Sequence, residues 1–351
     1  MTNPANIYIV AVGARTPLGL TAPTAAAAVR AEITALAEHP FMVDQLGDPM
    51  PGALDPELDP QLIMVSRLLA MAETALREVC SPLDCELSLH APLPVFLGLP
   101  EMRPGFTEME AESVRLGLGK LEGLPIPFSE IHIFAQGHSA GFAAMAAATE
   151  AMRQGEIEAC FVGGLESYFN PDTMEWLDAN RQLAGAASRS GFVPGEGAGF
   201  CLLMTERACA RLKLKAFVRV HAITMGCETK LLKSSDICLG EGLTATVRDA
   251  LSCLHSLDGR INSIICDING ERYRSEEWGF VCLHLGTHFD NPTGYLSPAE
   301  YWGDMGAASG PLFAMLFLQA NARGYSKGSR TLMWASSEGG QRGCVVLETS
   351  T

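Results

Sequence analysis

Gly137-His138-Ser139-Ala140-Gly141 is the segment of this 351-residue sequence whose residue types and spacing most directly suggest chemistry. It lies between an apolar run, Ile131 to Ala135, and a helical pattern, Phe142 to Met152. A G-x-S-x-G at such a junction lifts a serine hydroxyl onto a tight turn, where a carboxylate and a histidine can activate it as a nucleophile. Asp267 or Asp290, followed by His284 or His288, are the downstream residues that could complete a triad. No HGGG-like donor segment precedes the turn, so an oxyanion would lack its usual second support. Simpler roles compete: Ser139 caps the helix that follows, and His138 fills a pocket and hydrogen-bonds to a neighbour.

Metal chemistry finds less support. His284 and His288 stand four apart, but Gly286 between them and Asn291-Pro292 after them predict a strand and loop, a poor frame for a metal. The eleven cysteines contain no CxxC; Cys80 and Cys85, the closest pair, flank a Ser-Pro-Leu-Asp turn. Cys160, Cys201, Cys266, Cys282 and Cys344 sit in apolar runs and read as small core residues of a reduced protein. No cofactor or metal is expected. Arg272, Arg274, Glu276 and Glu277 alternate in sign and read as a solvated face. Lys213, Lys215, Lys230 and Lys233 form the one concentrated basic region, which could meet an acidic carrier protein or be plain solvated surface.

The elements that must position these residues alternate between helix and strand. Apolar runs predict strands at Ile7 to Val12, Val95 to Leu99, Ile131 to Ala135, and Ala159 to Val162, the last ended by Gly163-Gly164. Helical spacing covers Ala25 to Ala37, with Thr24 as its cap, and Leu62 to Val79; Phe142 to Met152, small on every face, should be buried all round. Alternation of this kind means an α/β architecture. With 48% hydrophobic and 19% charged residues the chain is no disordered tail, and a net charge of −15 argues against nucleic acid or an anionic membrane as partner. No apolar stretch is long enough to span a bilayer, and Met1-Thr2-Asn3-Pro4 lacks the basic start of a secretory signal, so a cytoplasmic location is expected.

The two halves of the chain echo each other. Gly137 to Gly141 and Gly306-Ala307-Ala308-Ser309-Gly310 each open a helix rich in Ala, Met and Leu. Each is followed by a glycine-rich stretch and an apolar strand: Gly195-Glu196-Gly197-Ala198-Gly199 before Phe200 to Met204, and Gly339-Gly340-Gln341-Arg342-Gly343 before Cys344 to Leu347. The pattern predicts two related α/β halves, residues 1–210 and 211–351.

On these motifs the chain resembles the thiolase-fold condensing enzymes, in particular the elongating β-ketoacyl-carrier-protein synthases. Ile9 to Gly19 is similar to their opening strand and turn, and Gln154 to Glu166 to their helix–strand unit ending in Gly-Gly-x-Glu. Ser190-Gly191-Phe192-Val193-Pro194-Gly195-Glu196-Gly197-Ala198-Gly199 is the most specific match. The resemblance implies a thiolase-like fold, layered α-β-α-β-α, and a two-fold dimer built on the strand before Gly137.

What the resemblance implies for chemistry is loss. The family's nucleophilic cysteine falls at His138, its first catalytic histidine at Asn269 and its second at about Gly303; its supporting lysine falls near Pro298, and its gating Phe-Gly-Phe-Gly-Gly becomes Ser336-Ser337-Glu338-Gly339-Gly340. Acyl-imidazole at His138 would be labile, Asn269 is neither acid nor base, and Glu338 would repel a developing oxyanion. The expected protein is therefore a degenerate ketosynthase, not competent for decarboxylative condensation, that binds acyl chains or an acyl carrier protein or pairs with an intact ketosynthase. The alternatives are an acyl-transfer or hydrolytic enzyme reusing His138 and Ser139 in the old pocket, and an α/β-hydrolase with Ser139 as nucleophile.

Overall fold

A computed structural model describes residues 6–81, 92–186, 188, 190–231, 237–254 and 260–349. In chain order the elements are β1 (Ile7–Arg15), α1 (Ala22–Arg30), β2 (Ala37–Val43), β3 (Pro49–Gly52), α2 (Met64–Cys80), β4 (Leu93–Leu99), α3 (Glu108–Leu118) and β5 (Phe128–Ala135). There follow α4 (Ala140–Gln154), β6 (Ala159–Ser167), α5 (Pro171–Ala179), β7 (Glu196–Thr205), α6 (Glu206–Leu212), β8 (Val218–Cys227) and α7 (Glu241–Ser252). The last are β9 (Ser263–Cys266), α8 (Arg272–Leu285), α9 (Ala299–Trp302), α10 (Ser309–Ala322), β10 (Arg330–Ser336) and β11 (Gln341–Thr349).

Nine strands hydrogen-bond in the order β5-β4-β6-β7-β1-β8-β11-β10-β9, and β2 and β3 form a separate hairpin. The echo in the sequence is visible in this order. In each half the first strand (β1 or β8) pairs antiparallel with the last (β7 or β11), which pairs antiparallel with the one before it (β6 or β10). A parallel strand, β4 or β9, follows. Among the described residues the two wings pair through β1 and β8 at Tyr8–Arg219 and Ile9–Val218.

Period-two alternation sorts the wings into layers. On β6 and β7, Phe161, Leu165, Phe200 and Leu202 face α2 and α3, while Cys160, Val162, Cys201 and Leu203 face α4 and α10. On β10 and β11, Met333, Ala335, Val345 and Leu347 face that same central helix pair, while Leu332, Trp334, Cys344 and Val346 face α7 and α8. Helix, wing, helix pair, wing, helix: these are the five layers of a thiolase-like fold.

Several local readings are corrected. α1 stops at Arg30, and Ala37 is already in β2. Its cap is Thr21, in a reciprocal capping box with Thr24, because the hydroxyls of both threonines can serve. β6 runs through Gly163-Gly164 to Ser167, paired with β7 along its length. α4 is buried all round only in its first turns, and Glu150 and Arg153 reach solvent. His284 ends α8, where a strand was expected, and His288 closes a 3-10 turn. Cys282 is half-buried, not core, and Cys85 and Lys233 lie outside the described residues.

The sheet's ends differ. Among the described residues β5 is paired only with β4, leaving its other edge without a strand partner. β9 is covered on its outer side by the chain between Phe289 and Leu296, which makes parallel bridges to Ile261 and Ile265. Close approach of the wing and the turn Gly306–Ala308 fixes the centre: a Cβ at Gly164 would lie 2.3 Å from the Ala307 carbonyl oxygen. Gly164→Ala is therefore expected to lower the unfolding free energy by about 1–3 kcal/mol, read by urea denaturation; an unchanged midpoint would show that the turn yields freely.

Candidate functional site

The turn Gly137–Ser139 places His138 at the base of α4, 8% exposed. Its Nε2 lies 2.9 Å from both Oδ1 and Oδ2 of Asp304. Asp304 is held from both sides. Its backbone N–H donates to the Val193 carbonyl and its own carbonyl accepts from Gly195, so the Gly191 to Gly199 motif grips it. Its carboxylate also accepts from Tyr168 Oη at 3.0 Å, Asn269 Nδ2 at 2.5 Å and the Gly306 N–H at 2.7 Å.

Arg274 stands behind this pair, fully buried on α8. It donates to Asp267, to Glu271 at 3.0 Å and to the Ser336 carbonyl at 2.5 Å, and its Nη2 is 3.1 Å from His138 Nε2. Nε2 cannot both donate to Asp304 and accept from Arg274, and electrostatics decides between them. Burial and Arg274 both disfavour the imidazolium, but Asp304, with Asp267 beyond it, overcomes them and raises the His138 pKa. Burial likewise opposes ionisation of Asp304, yet His138, Arg274 and Asn269 hold its carboxyl well below the usual range. Burial outweighs Arg274 at Asp267 and Glu271, whose pKa values are raised. The raised pKa of His138 and the lowered pKa of Asp304 favour the charged pair, with the His138 Nε2–H donated to the Asp304 carboxylate and no lone pair at Nε2 to attack a thioester.

The other expected site residues are brought to the same place with different duties. Asn269 donates to Asp304 and Glu271, so its amide is committed. Gly303 offers no side chain and adopts φ +76°; the neighbouring Asp304 reaches the centre instead. Ser139 is fully buried and caps nothing with its hydroxyl. Its N–H donates to Ser337 Oγ at 2.8 Å, and that hydroxyl in turn donates to the Gln136 carbonyl at 2.5 Å and lies 2.9 Å from Ser139 Oγ. Glu338 accepts from Gln182 Nε2 at 2.5 Å, and Gly339 donates its N–H to Glu101, a carboxyl whose pKa burial raises. Beside His138 the open space is a cavity of about 40 Å³, enough for a few waters and not for an acyl chain.

The hydrolytic triad does not assemble. His284, His288 and Asp290 are exposed, Asp290 bonds to Asn262, and Asp267 to Arg274. The solvated face expected at residues 272–277 is only half right. Arg272 and Glu276 pair on the surface, whereas Arg274 and Glu277 point inward, Glu277 held bidentate by Arg342. Glu228, Cys238 and Glu277 could converge on a metal, their ligand atoms lying within 4.8 Å of one another. Arg342 already satisfies Glu277, however, and burial pushes the Cys238 thiol up to about 11. Arg274, Asp304 and Tyr168 were not anticipated; the signal for Asp304 was its place one residue beyond the family's second histidine.

Residues 136–208 match the model of the β-ketoacyl synthase N-terminal domain. The ishigamide ketosynthase/chain length factor superposes with a TM-score of 0.80 at 14% identity, over 99% of this chain and 100% of that one. The fold is that of the ketosynthases. Other similar structures are AntDE:AntF, a type II PKS acyl-carrier protein in complex with its ketosynthase bound to the hexaketide (TM-score 0.78, 13% identity, 99% and 100% covered), and the ketosynthase ApeO in complex with its chain length factor ApeC from Xenorhabdus doucetiae (0.73, 17%, 100% of both). No curated protein matches the chain in sequence. An α/β-hydrolase fold is thereby excluded, and a ketosynthase-like fold carries the His138–Asp304 pair.

Removing one member of a buried pair strands the other charge. His138→Ala should cost about 3–5 kcal/mol, and His138→Ala with Asp304→Asn should recover part of it; additive losses in denaturation would argue against coupling. The raised His138 pKa also sets a sign. Its contribution is complete below the unfolded value of about 6.5 and is lost as pH rises through the folded value. The stability gap between the parent and His138→Gln should therefore shrink above pH 6.5; a gap that widens there would contradict the assignment.

Proposed function

We propose that this chain is a ketosynthase-like subunit, not competent for decarboxylative condensation, that pairs with a second chain in a fatty-acid- or polyketide-type pathway. The observation that carries the reading is the geometry of the nucleophile position: His138 is buried with its Nε2 against both carboxylate oxygens of Asp304, which favours the charged imidazole. Condensation needs a free nucleophile and two donors facing the developing charge. Asn269 and Asp304 occupy that region, and a carboxylate opposes negative charge. Relatives of this fold occur in complexes of a ketosynthase with a chain length factor or an acyl-carrier protein, which favours a partner role over independent catalysis.

The reading takes residues 1–210 and 211–351 as the two halves of one thiolase-like body, working in the cytoplasm; among the described residues no helix is long and apolar enough to cross a membrane. The pairing surface is β5, whose open edge adds a strand from a two-fold partner, either a second copy or an intact ketosynthase. Acyl transfer or hydrolysis at Ser139 is the weaker reading, because among the described residues its hydroxyl contacts Ser337 and Gln136 and no imidazole.

Three experiments test this. Incubation with a panel of acyl thioesters should give neither thiol release nor a covalent mass shift; a stoichiometric adduct on His138 or Ser139 would overturn the reading. Light scattering at micromolar concentration should give a dimer, alone or with a co-expressed ketosynthase, and a monomer under both conditions would reject the β5 surface. His138→Cys should self-acylate at most, since each absent transition-state donor costs about 2.7–4 kcal/mol of barrier. Chain elongation by that variant would show that other residues stabilise the charge.

A further inference from the structure

A second cavity, of about 220 Å³, opens between α1, α10, β9, the loop before α9 and the loop after α10, and shares no lining residue with the His138 cavity. Its floor is hydrocarbon: Val29, Ile265, Leu316 and Phe317 are buried and border the space. Its rim is cationic. Arg30 and Lys327 line the opening, and Arg323 acts on Tyr325 beside them. Glu32 is the one carboxylate of the lining, and among the described residues neither Arg30 nor Lys327 forms an ion pair. In a chain of net charge −15, such a cluster around an apolar hollow is selective for anions.

The Arg30 guanidinium lies over the Tyr325 ring, 4.2 Å from its centroid. A neighbouring cavity of about 310 Å³ shares Ala26, Arg30 and Tyr325 with the first, so this stacked pair is the wall between the two. Stacking holds the face of the guanidinium and leaves its edge N–H groups free, the geometry that takes a carboxylate in a fork. An apolar hollow with a few convergent polar groups is the usual form of a small-molecule site.

We propose that this cavity binds an amphipathic organic anion, a medium-chain alkyl carboxylate whose tail lies on Ile265, Leu316 and Phe317 and whose head pairs with Arg30 and Lys327. The site is independent of the condensing site and of the pairing role. Calorimetric titration of the full chain with octanoate, against octan-1-ol as the neutral analogue, tests it. One octanoate should bind per chain, with octanol at least tenfold weaker. Arg30→Gln and Lys327→Gln should each weaken octanoate at least fivefold and leave octanol unchanged. Ala320→Trp, on a half-buried wall of the cavity, should abolish both. Equal binding of octanoate and octanol, no saturable binding, or an unchanged titration in either charge variant would overturn the proposal. Lys327 is exposed, so its variant folds and the charge test stands whatever Ala320→Trp does to stability.

Discussion

The charge pair between His138 and Asp304 joins the two halves of the chain, and much of the surrounding structure keeps both charges partnered. An ion taken out of water loses several kcal/mol of hydration, recovered only when its remaining hydrogen-bonding sites are filled. Asp304 fills its sites from four directions: His138 and Tyr168 from the first half, Asn269 and the Gly306 N–H from the second. Arg274 brings a second cation, answered by Asp267 and Glu271. Similar logic recurs at Glu166, which receives Arg103 and the Ala307 N–H, and at Glu196, which receives Arg67, Ser167 and the Asp55 N–H. The centre of the molecule is a lattice of paired charges at the positions where the sequence motifs point to a reactive site.

Fold and chemistry separate cleanly here because different residues specify them. The layers depend on which faces of β6, β7, β10 and β11 are apolar and on glycines where backbones touch; none of that requires a thiol or an imidazole at the centre. A reactive site needs the opposite of a lattice: a group whose partner arrives later, and room for it to arrive. At this turn the Ser139 N–H is taken by Ser337 and the Gly339 N–H by Glu101, beside a space of only about 40 Å³.

β1, β4, β5, β6, β7 and β11 and the two related halves were legible because period and glycine placement are local signals, whereas β2, β3, β8, β9 and β10 were not located. The charged centre was not legible. Arg272, Arg274, Glu276 and Glu277 read as one surface stripe, yet a helical turn sends Arg272 and Glu276 outward and Arg274 and Glu277 inward. What makes the inward pair tolerable lies far off in sequence, at His138, Ser336 and Arg342, and no local pattern announces it. Gly303 was the nearest approach to Asp304, one position short, because an aspartate has no counterpart in the chemistry the motif led one to expect. Thr21 and Thr24 were confused for a different reason: in a reciprocal box each hydroxyl contacts the other's backbone, and only the backbone angles tell which one is the cap.

The unequal ends of the nine-stranded sheet limit how this molecule can assemble. One end, β5, offers backbone groups to another strand; at the other, the segment from Phe289 to Leu296 has already taken those of β9. A subunit sticky at both ends would grow into an open fibre, each addition exposing a fresh terminus. Were β5 to take a partner strand as proposed, addition would stop after one step, because the new partner would present only its own covered β9 side to solvent. The loop over β9 would then act as a chain terminator at the level of quaternary structure, closing such a pair without any further device against polymerisation.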